Sequence, residues 1–294
     1  MILFPAPEVP HLSNALISVD GALLGVEVDG VKWSYTRFDG WSAGAGVDTQ
    51  FAPRPGQHGA FDAPVYRRER VITLEGMIRA NSRALAAVAE QQLASLLADG
   101  SLGALAVDDP DLGLRTAQVR LSAPPQSDGS AKGVGIVRWS LQFTAPDWRK
   151  YGEPQSVTTG LAGGGVGLAV DFGGDLIDSG TLGSAGTVTL VNDGTANTEP
   201  RFTVSGPMVA GFTISRTDTG EQVTYPQPVV SDVVVDYGDG SVTSGGQDRT
   251  GLLSRDQFSS IGPGESVTFQ FSTLGGETFE DPCSMTATVS PAYS

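Results

Sequence analysis

A strand-like run from Leu141 stops at Ala145-Pro-Asp-Trp-Arg-Lys-Tyr-Gly152 and dissolves, through Glu153-Pro154 and a Ser/Thr patch, into Leu161-Ala-Gly-Gly-Gly-Val-Gly167. Gly and Ser lower the gain from burial and raise the entropy cost of ordering, so 152–167 reads as a linker or an extended surface strand. The seam divides 294 residues into two stretches, each long enough to bury its own core. Charge divides at the same place. Residues 1–152 carry 14 Lys and Arg against 16 Asp and Glu, while 153–294 carry 4 against 17, so most of the net charge of -15 lies in the second stretch. The expected organisation is a first domain over 1–152, a Gly-rich linker over 153–167 and an acidic domain over 168–294.

Within the first stretch, Ile17 and Val19, Val26 and Val28, and Trp33 and Tyr35 recur at the two-residue spacing of strands, with Asp20-Gly21 and Asp29-Gly30 as hairpin turns between them. From Gly40 to Pro64 the alternation gives way to Gly, Ala, Pro and isolated aromatics, a loop whose length points to contact with a partner. Ile72, Leu74 and Ile78 then restore a strand. Asn81 or Ser82 is placed to cap a helix over Arg83 to Asp99, with Leu85, Val88, Gln92/Leu93 and Leu96 on its apolar face and Gly100 as its stop. Strands follow over Leu102 to Val107, Leu114 to Leu121 and Val134 to Phe143, with a polar loop around Ser127-Asp128-Gly129. Beyond the seam the pairs Val188/Leu190, Phe202/Val204, Phe212/Ile214 and Val233/Val235, with Val267/Phe269/Phe271, alternate with polar residues as in an antiparallel sandwich. The fold class is mainly β.

The motifs that could carry chemistry lack their contexts. Gly40-Trp-Ser42-Ala-Gly44 fits a nucleophile elbow, but Gly46, Pro53 and Pro55 forbid the helix that must follow, and His58 is too near to come after an acid-bearing strand. His11, His58 and Cys283 cannot supply three or four N/S zinc ligands. Asp108-Asp109-Pro110-Asp111 and Asp236-Tyr-Gly-Asp239-Gly240 lack the spacing and closing Glu of a calcium loop and read as turns. No cofactor or metal site is expected. The single cysteine suits a reducing cytosol, and the start of the chain lacks a signal peptide's basic end and long apolar core. No stretch approaches the roughly 18 apolar residues of a membrane span. Acidity argues against holding DNA by phosphate neutralisation, although a like-charged wall lets DNA slide past.

Arg67-Arg68-Arg70 places Arg68 and Arg70 on one strand face, suited to an intersubunit salt-bridge surface that faces the acidic second domain or a neighbour. Trp148, Arg149 and Tyr151 sit at the domain exit, as candidates for fixing the angle between domains.

Arg54-Pro-Gly-Gln-His58-Gly59-Ala-Phe, Val71-Ile-Thr-Leu-Glu-Gly76 and Leu141-Gln-Phe-Thr-Ala-Pro-Asp-Trp-Arg-Lys-Tyr151-Gly, in that order, resemble the distal tail proteins of long-tailed phages with non-contractile tails, as found among phages of actinobacteria. Val191-Asn-Asp-Gly194, Glu199-Pro-Arg-Phe-Thr-Val-Ser-Gly206 and Ile261-Gly-Pro-Gly264 look like that family's second domain. The resemblance implies a tail-tube-like β-sandwich or barrel domain with one helix, plus a galectin-like or carbohydrate-module-like β-sandwich. It also implies a structural, non-enzymatic hub in the virion: a homohexameric ring between the tail tube protein and the tail-tip hub, near tape-measure and receptor-binding proteins, through which DNA passes. Arg54 and His58, with Arg68, Arg70, Trp148, Arg149 and Tyr151, are the expected interface residues. Two rivals are a cell-wall glycan-binding module using sandwich aromatics such as Tyr225 or Tyr237, and a hydrolase using Ser42 or a carboxylate pair.

Overall fold

Two Asp-Gly pairs set the first corners of the chain. Asp20 and Gly21, and Asp29 and Gly30, all have positive φ (48°, 81°, 52° and 75°), the backbone that two-residue hairpins require and that Asp and Gly tolerate. In the computed structural model, which describes residues 15–163, 169–170, 177–178, 184–278 and 281–294, they join β1 (Leu16–Val19) to β2 (Ala22–Leu24) and β3 (Glu27–Val28) to β4 (Val31–Asp39). His11 and the end of the Gly run, 164–167, lie outside the described residues. The chain forms two compact units, residues 1–152 with Ser294 and residues 153–293.

The first unit continues with β5 (Arg70–Ala80), α1 (Arg83–Ser95), β6 (Gly103–Asp109), β7 (Gly113–Leu121), β8 (Gln126–Asp128), β9 (Ile136–Ala145) and β10 (Lys150–Tyr151). Its sheet runs β2-β1-β6-β7-β9-β5-β4-β3, with β8 on β9 and β10 on β7. The two edge strands are consecutive in the chain, and Gly25 N–H donates to Trp33 O at 2.6 Å, so the sheet rolls up on itself. The inner face carries Ile17, Val19, Ile72, Leu74, Ile78, Trp139, Leu141 and Phe143, all buried. Each large aliphatic there contributes roughly 1.5–3 kcal/mol. Gly76 sits among them because a Cβ would collide with Ser34 O and the Trp139 ring.

Four expectations need correction. Ser82 does cap α1, accepting from Leu85 N–H at 3.2 Å, but the buried face is Ala86, Ala89, Leu93 and Leu97, while Val88 is 53% exposed. Alanines let the helix approach the sheet closely, which turns the face away from the bulkier Leu85, Val88 and Leu96. The helix also ends early, at Ser95, and Leu97 (φ 48°) leaves its axis to pack on Gly103. The polar loop at 126–128 is the short strand β8, paired through Ser127 to Trp139. The fourth concerns the seam.

Of the two readings of the seam, linker or extended surface strand, residues 155–160 take the second. They form β11 (Gln155–Gly160), an edge strand of the second unit. It pairs along its length with β21 (Ser284–Val289), and the hydroxyls of Ser156 and Thr158 meet those of Thr288 and Thr286, each at 2.8 Å. Poor as Ser and Thr are at burial, they suit an exposed ladder on which each has a cross-strand partner.

Between them lie β12 (Thr187–Val191), β13 (Arg201–Ser205), β14 (Phe212–Arg216), β15 (Gln222–Tyr225), β16 (Val233–Asp236), β17 (Ser241–Ser244), β18 (Gln247–Asp248), β19 (Arg255–Asp256) and β20 (Ser266–Thr273). Sheets β11-β21-β13-β16-β17-β18 and β12-β20-β14-β15-β19 enclose one core. Phe202, Phe212, Phe269 and Phe271 fill it, with Phe202 and Phe269 edge to face at 5.0 Å. Asn192, fully buried, ties the loops at one end. Its Nδ2 donates to Ala196 O, Ile261 O and Gly262 O, and its Oδ1 accepts from Gly194 N–H.

Candidate functional site

The long loop of the first unit is an arm. It leaves β4 at Gly40 and returns to β5 at Arg70, stitched by two short ladders, Val47–Asp48 with Tyr66–Arg67 and Ala52–Pro53 with Ala60–Phe61. Residues 51–62 are exposed throughout. Phe51, Phe61, Val65 and Tyr66 lie open on it, Tyr66 at 70%. Arg54 holds its guanidinium 5.2 Å from the Phe61 ring centroid, and His58 lies at the tip between the second pair of strands. Arg68 reaches across the arm to Asp48 at 2.9 Å, an exposed pair that solvent screens.

Arg70 does something else. The alternation expected of Arg68 and Arg70 breaks, because the ladder of the arm ends at Arg67 and β5 begins at Arg70. Arg70 therefore turns inward and is 1% exposed. Its Nε donates to Trp148 O at 3.0 Å, and its Nη1 donates to Gly40 O at 2.8 Å, Trp41 O at 3.1 Å and Ala43 O. It is no intersubunit salt bridge. It is a clamp that ties the outgoing limb of the arm to the exit motif. Gly40 permits this approach: its φ is 84°, and a Cβ would collide with Val71 O.

Sequence reasoning passed over Lys150, which is 4% exposed beside this clamp. Its Nζ donates to Trp41 O at 3.1 Å and lies 5.6 Å from the Trp41 ring centroid, and Trp41 in turn stacks on Phe38. Two buried cations thus share one carbonyl, and neither has an ion-pair partner among the described residues. The cost appears in their acidity. Burial, with the charges of Arg70 and Arg115 added, pushes Lys150 down to about 8, and burial followed by Arg67 lowers Arg70. The available signal was alternation in Arg149-Lys150-Tyr151, which must turn one of the two cations inward.

The exit motif is a tight polar turn. Arg149 and Tyr151 both hold Asp147, Nε at 3.1 Å from Oδ1 and the Tyr hydroxyl donating to Oδ2 at 2.6 Å. Burial raises the Asp147 carboxyl, but the bonds from Arg149 and Tyr151 outweigh it and leave it below its ordinary value. Trp148 is half-buried, with the Arg67 guanidinium over its ring at 6.0 Å.

The rival sites do not assemble. Ser42 is exposed in a bend with no helix after it. Tyr225 and Tyr237 are 4% and 6% exposed, so they pack the sandwich instead of offering a sugar platform. Asp109 and Asp236 accept backbone N–H groups within their own turns. Among the described residues no cluster of His, Cys, Asp and Glu could hold a metal ion, and no helix is long and apolar enough to cross a membrane.

The fold superposes on solved phage hub and baseplate proteins. The Dit protein of phage SPP1, described as a paradigm of the hub adsorption apparatus in phages infecting Gram-positive bacteria, superposes with a TM-score of 0.65 over 96% of this chain and 100% of its own, at 14% identity. A chain of the phage P2 baseplate in its activated conformation with Ca gives 0.54 over 95% and 98%, at 9% identity. Its counterpart with Sr gives 0.52 over 94% and 98%, at 10% identity. No family model and no curated protein matches the sequence.

Proposed function

We propose that the chain is a virion structural protein of the phage tail tip, a distal tail protein. In this reading the first unit builds a homohexameric ring that joins the tail tube protein to the tail-tip hub, near the tape-measure and receptor-binding proteins, and lets DNA pass without binding it. Arg54, His58 and Arg68 on the arm, with Trp148, Arg149 and Tyr151 at the exit, face neighbouring proteins; Arg70 holds the arm they belong to. The sandwich is a protein docking module, and assembly takes place in the cytoplasm of an actinobacterial host. The observation that carries this reading is the match to SPP1 Dit across nearly the whole of both chains, which extends beyond a single shared domain.

Antibody labelling of intact virions, viewed by electron microscopy, tests it. Label is expected at the distal end of the tail, at the junction with the tip. Label on the capsid, or none on any particle, would defeat the proposal.

A further inference from the structure

A groove of about 640 Å³ runs between α1 and the corner joining β2 to β3, lined by the buried Leu24 and Leu93 and by Trp33. It opens where the alanine face of α1 turned the larger side chains away from the core, and Leu23, Val28 and Val88 along it are exposed. Its size is that of a cleft for an apolar ligand, roughly 300–1,000 Å³. A contiguous apolar opening of this kind marks a place where something binds.

We infer that the occupant is residues 1–14 of the same chain, seated through Ile2, Leu3 and Phe4. These are three consecutive large apolar side chains, and Pro5, Pro7 and Pro10 follow them. Prolines favour an extended backbone without internal hydrogen bonds, the form in which a peptide lies along an aromatic-lined groove.

The place where this segment joins the fold supports the pairing. Ala15, the first described residue, is buried, and its carbonyl accepts from the Tyr35 hydroxyl at 3.0 Å. Tyr35 and Trp33 stand two residues apart on β4 and pack on the same core, and Trp33 lines the groove. On β1, Ile17 is registered with Leu24, a second lining residue. The chain therefore enters the unit beside the groove. From Ala15 to the level of Val19, which also lines it, is about 13 Å along the strand. The ten residues 5–14 can span up to about 33 Å, so the triplet reaches the groove with slack to turn back. A tether this short holds the triplet near its own groove at an effective concentration of order mM. Even weak docking then favours the chain's own segment over that of another molecule.

Amide hydrogen exchange on the full chain, read by mass spectrometry, tests the contact. It is compared with the variant carrying Ile2→Ser, Leu3→Ser and Phe4→Ser and with the chain lacking residues 1–14. Amides of 22–33 and 85–96 should exchange about tenfold faster in both, while those of β9 and of the sandwich stay unchanged and report an intact fold. Equal exchange at the groove in all three proteins overturns the inference. Protection that grows with protein concentration would seat another copy's segment there and overturn the same-chain contact. Added in trans, a peptide of residues 1–14 should restore slow exchange to the shortened chain, and Val88→Glu, at an exposed position, should block that rescue. A peptide without effect, or one that rescues the Val88→Glu chain equally well, counts against the groove as its seat.

Discussion

Arg70 shows how one side chain can organise a region that has no regular structure. Four carbonyls from two parts of the chain converge on it, and truncation would take that donor from all four, leaving only Trp41 O with a side-chain partner, Lys150. Arg70→Ala is expected to cost roughly 3–5 kcal/mol in urea unfolding, with faster amide exchange at 40–45. Arg70→Lys should recover little, because a single ammonium cannot reproduce the fork. Lys150 makes a prediction of opposite sense. Its pKa is about 8 against an ordinary 10.5, so between those values the unfolded chain holds the extra proton and stability rises with pH. The penalty for burying the cation is complete below about 8. Relative to Lys150→Met, the unchanged protein should therefore gain up to about 1.4 kcal/mol per pH unit above that point, measured by urea midpoints across the range. A flat difference would remove Lys150 from this role.

At the scale of elements, strands were legible where one face meets a core and the other meets water. Ile72, Leu74 and Ile78, and Val267, Phe269 and Phe271, declare their sheets by spacing alone, since register follows from which face is buried. The helix declared its existence and its cap but not its orientation, because alanine carries too little hydrophobic weight to mark the face that actually packs. The arm was legible as a loop and not as stitched strands, whose pairing depends on main-chain bonds that side-chain pattern does not encode. β11 could be read only as an alternative to a linker for the same reason: its partners are hydroxyls 130 or so residues away in sequence. It yields a direct test. A fragment of residues 153–294 should fold as a sandwich, whereas one starting at 168 lacks the edge strand and bares β21. The shorter fragment is expected to be less stable by at least about 2 kcal/mol and to aggregate on heating; equal melting of the two would show that β11 is dispensable.

For the whole molecule, the unequal charge read from the sequence falls on either side of residue 152, where the chain divides into two compact units. The sandwich has four arginines, and each already bonds within it: Arg201 to Asp236, Arg216 to Asp218 and Glu265, Arg249 to Gln247 and Arg255 to Gln222. Residues 153–294 carry 17 acidic side chains against those four arginines, so partners of this unit must tolerate or supply opposite charge. The first unit, nearly neutral, is instead divided between a rolled core and an arm held by its main chain. Because Arg70 recognises carbonyl oxygens, the clamp does not read the side chains of Ser42 or Ala43, nor those of the arm beyond them. Selection can therefore rewrite residues 51–62 freely while Gly40 and Arg70 keep the mount unchanged. The arm is in effect an interchangeable fitting, able to track a changing neighbour without reopening the problem of how the barrel folds.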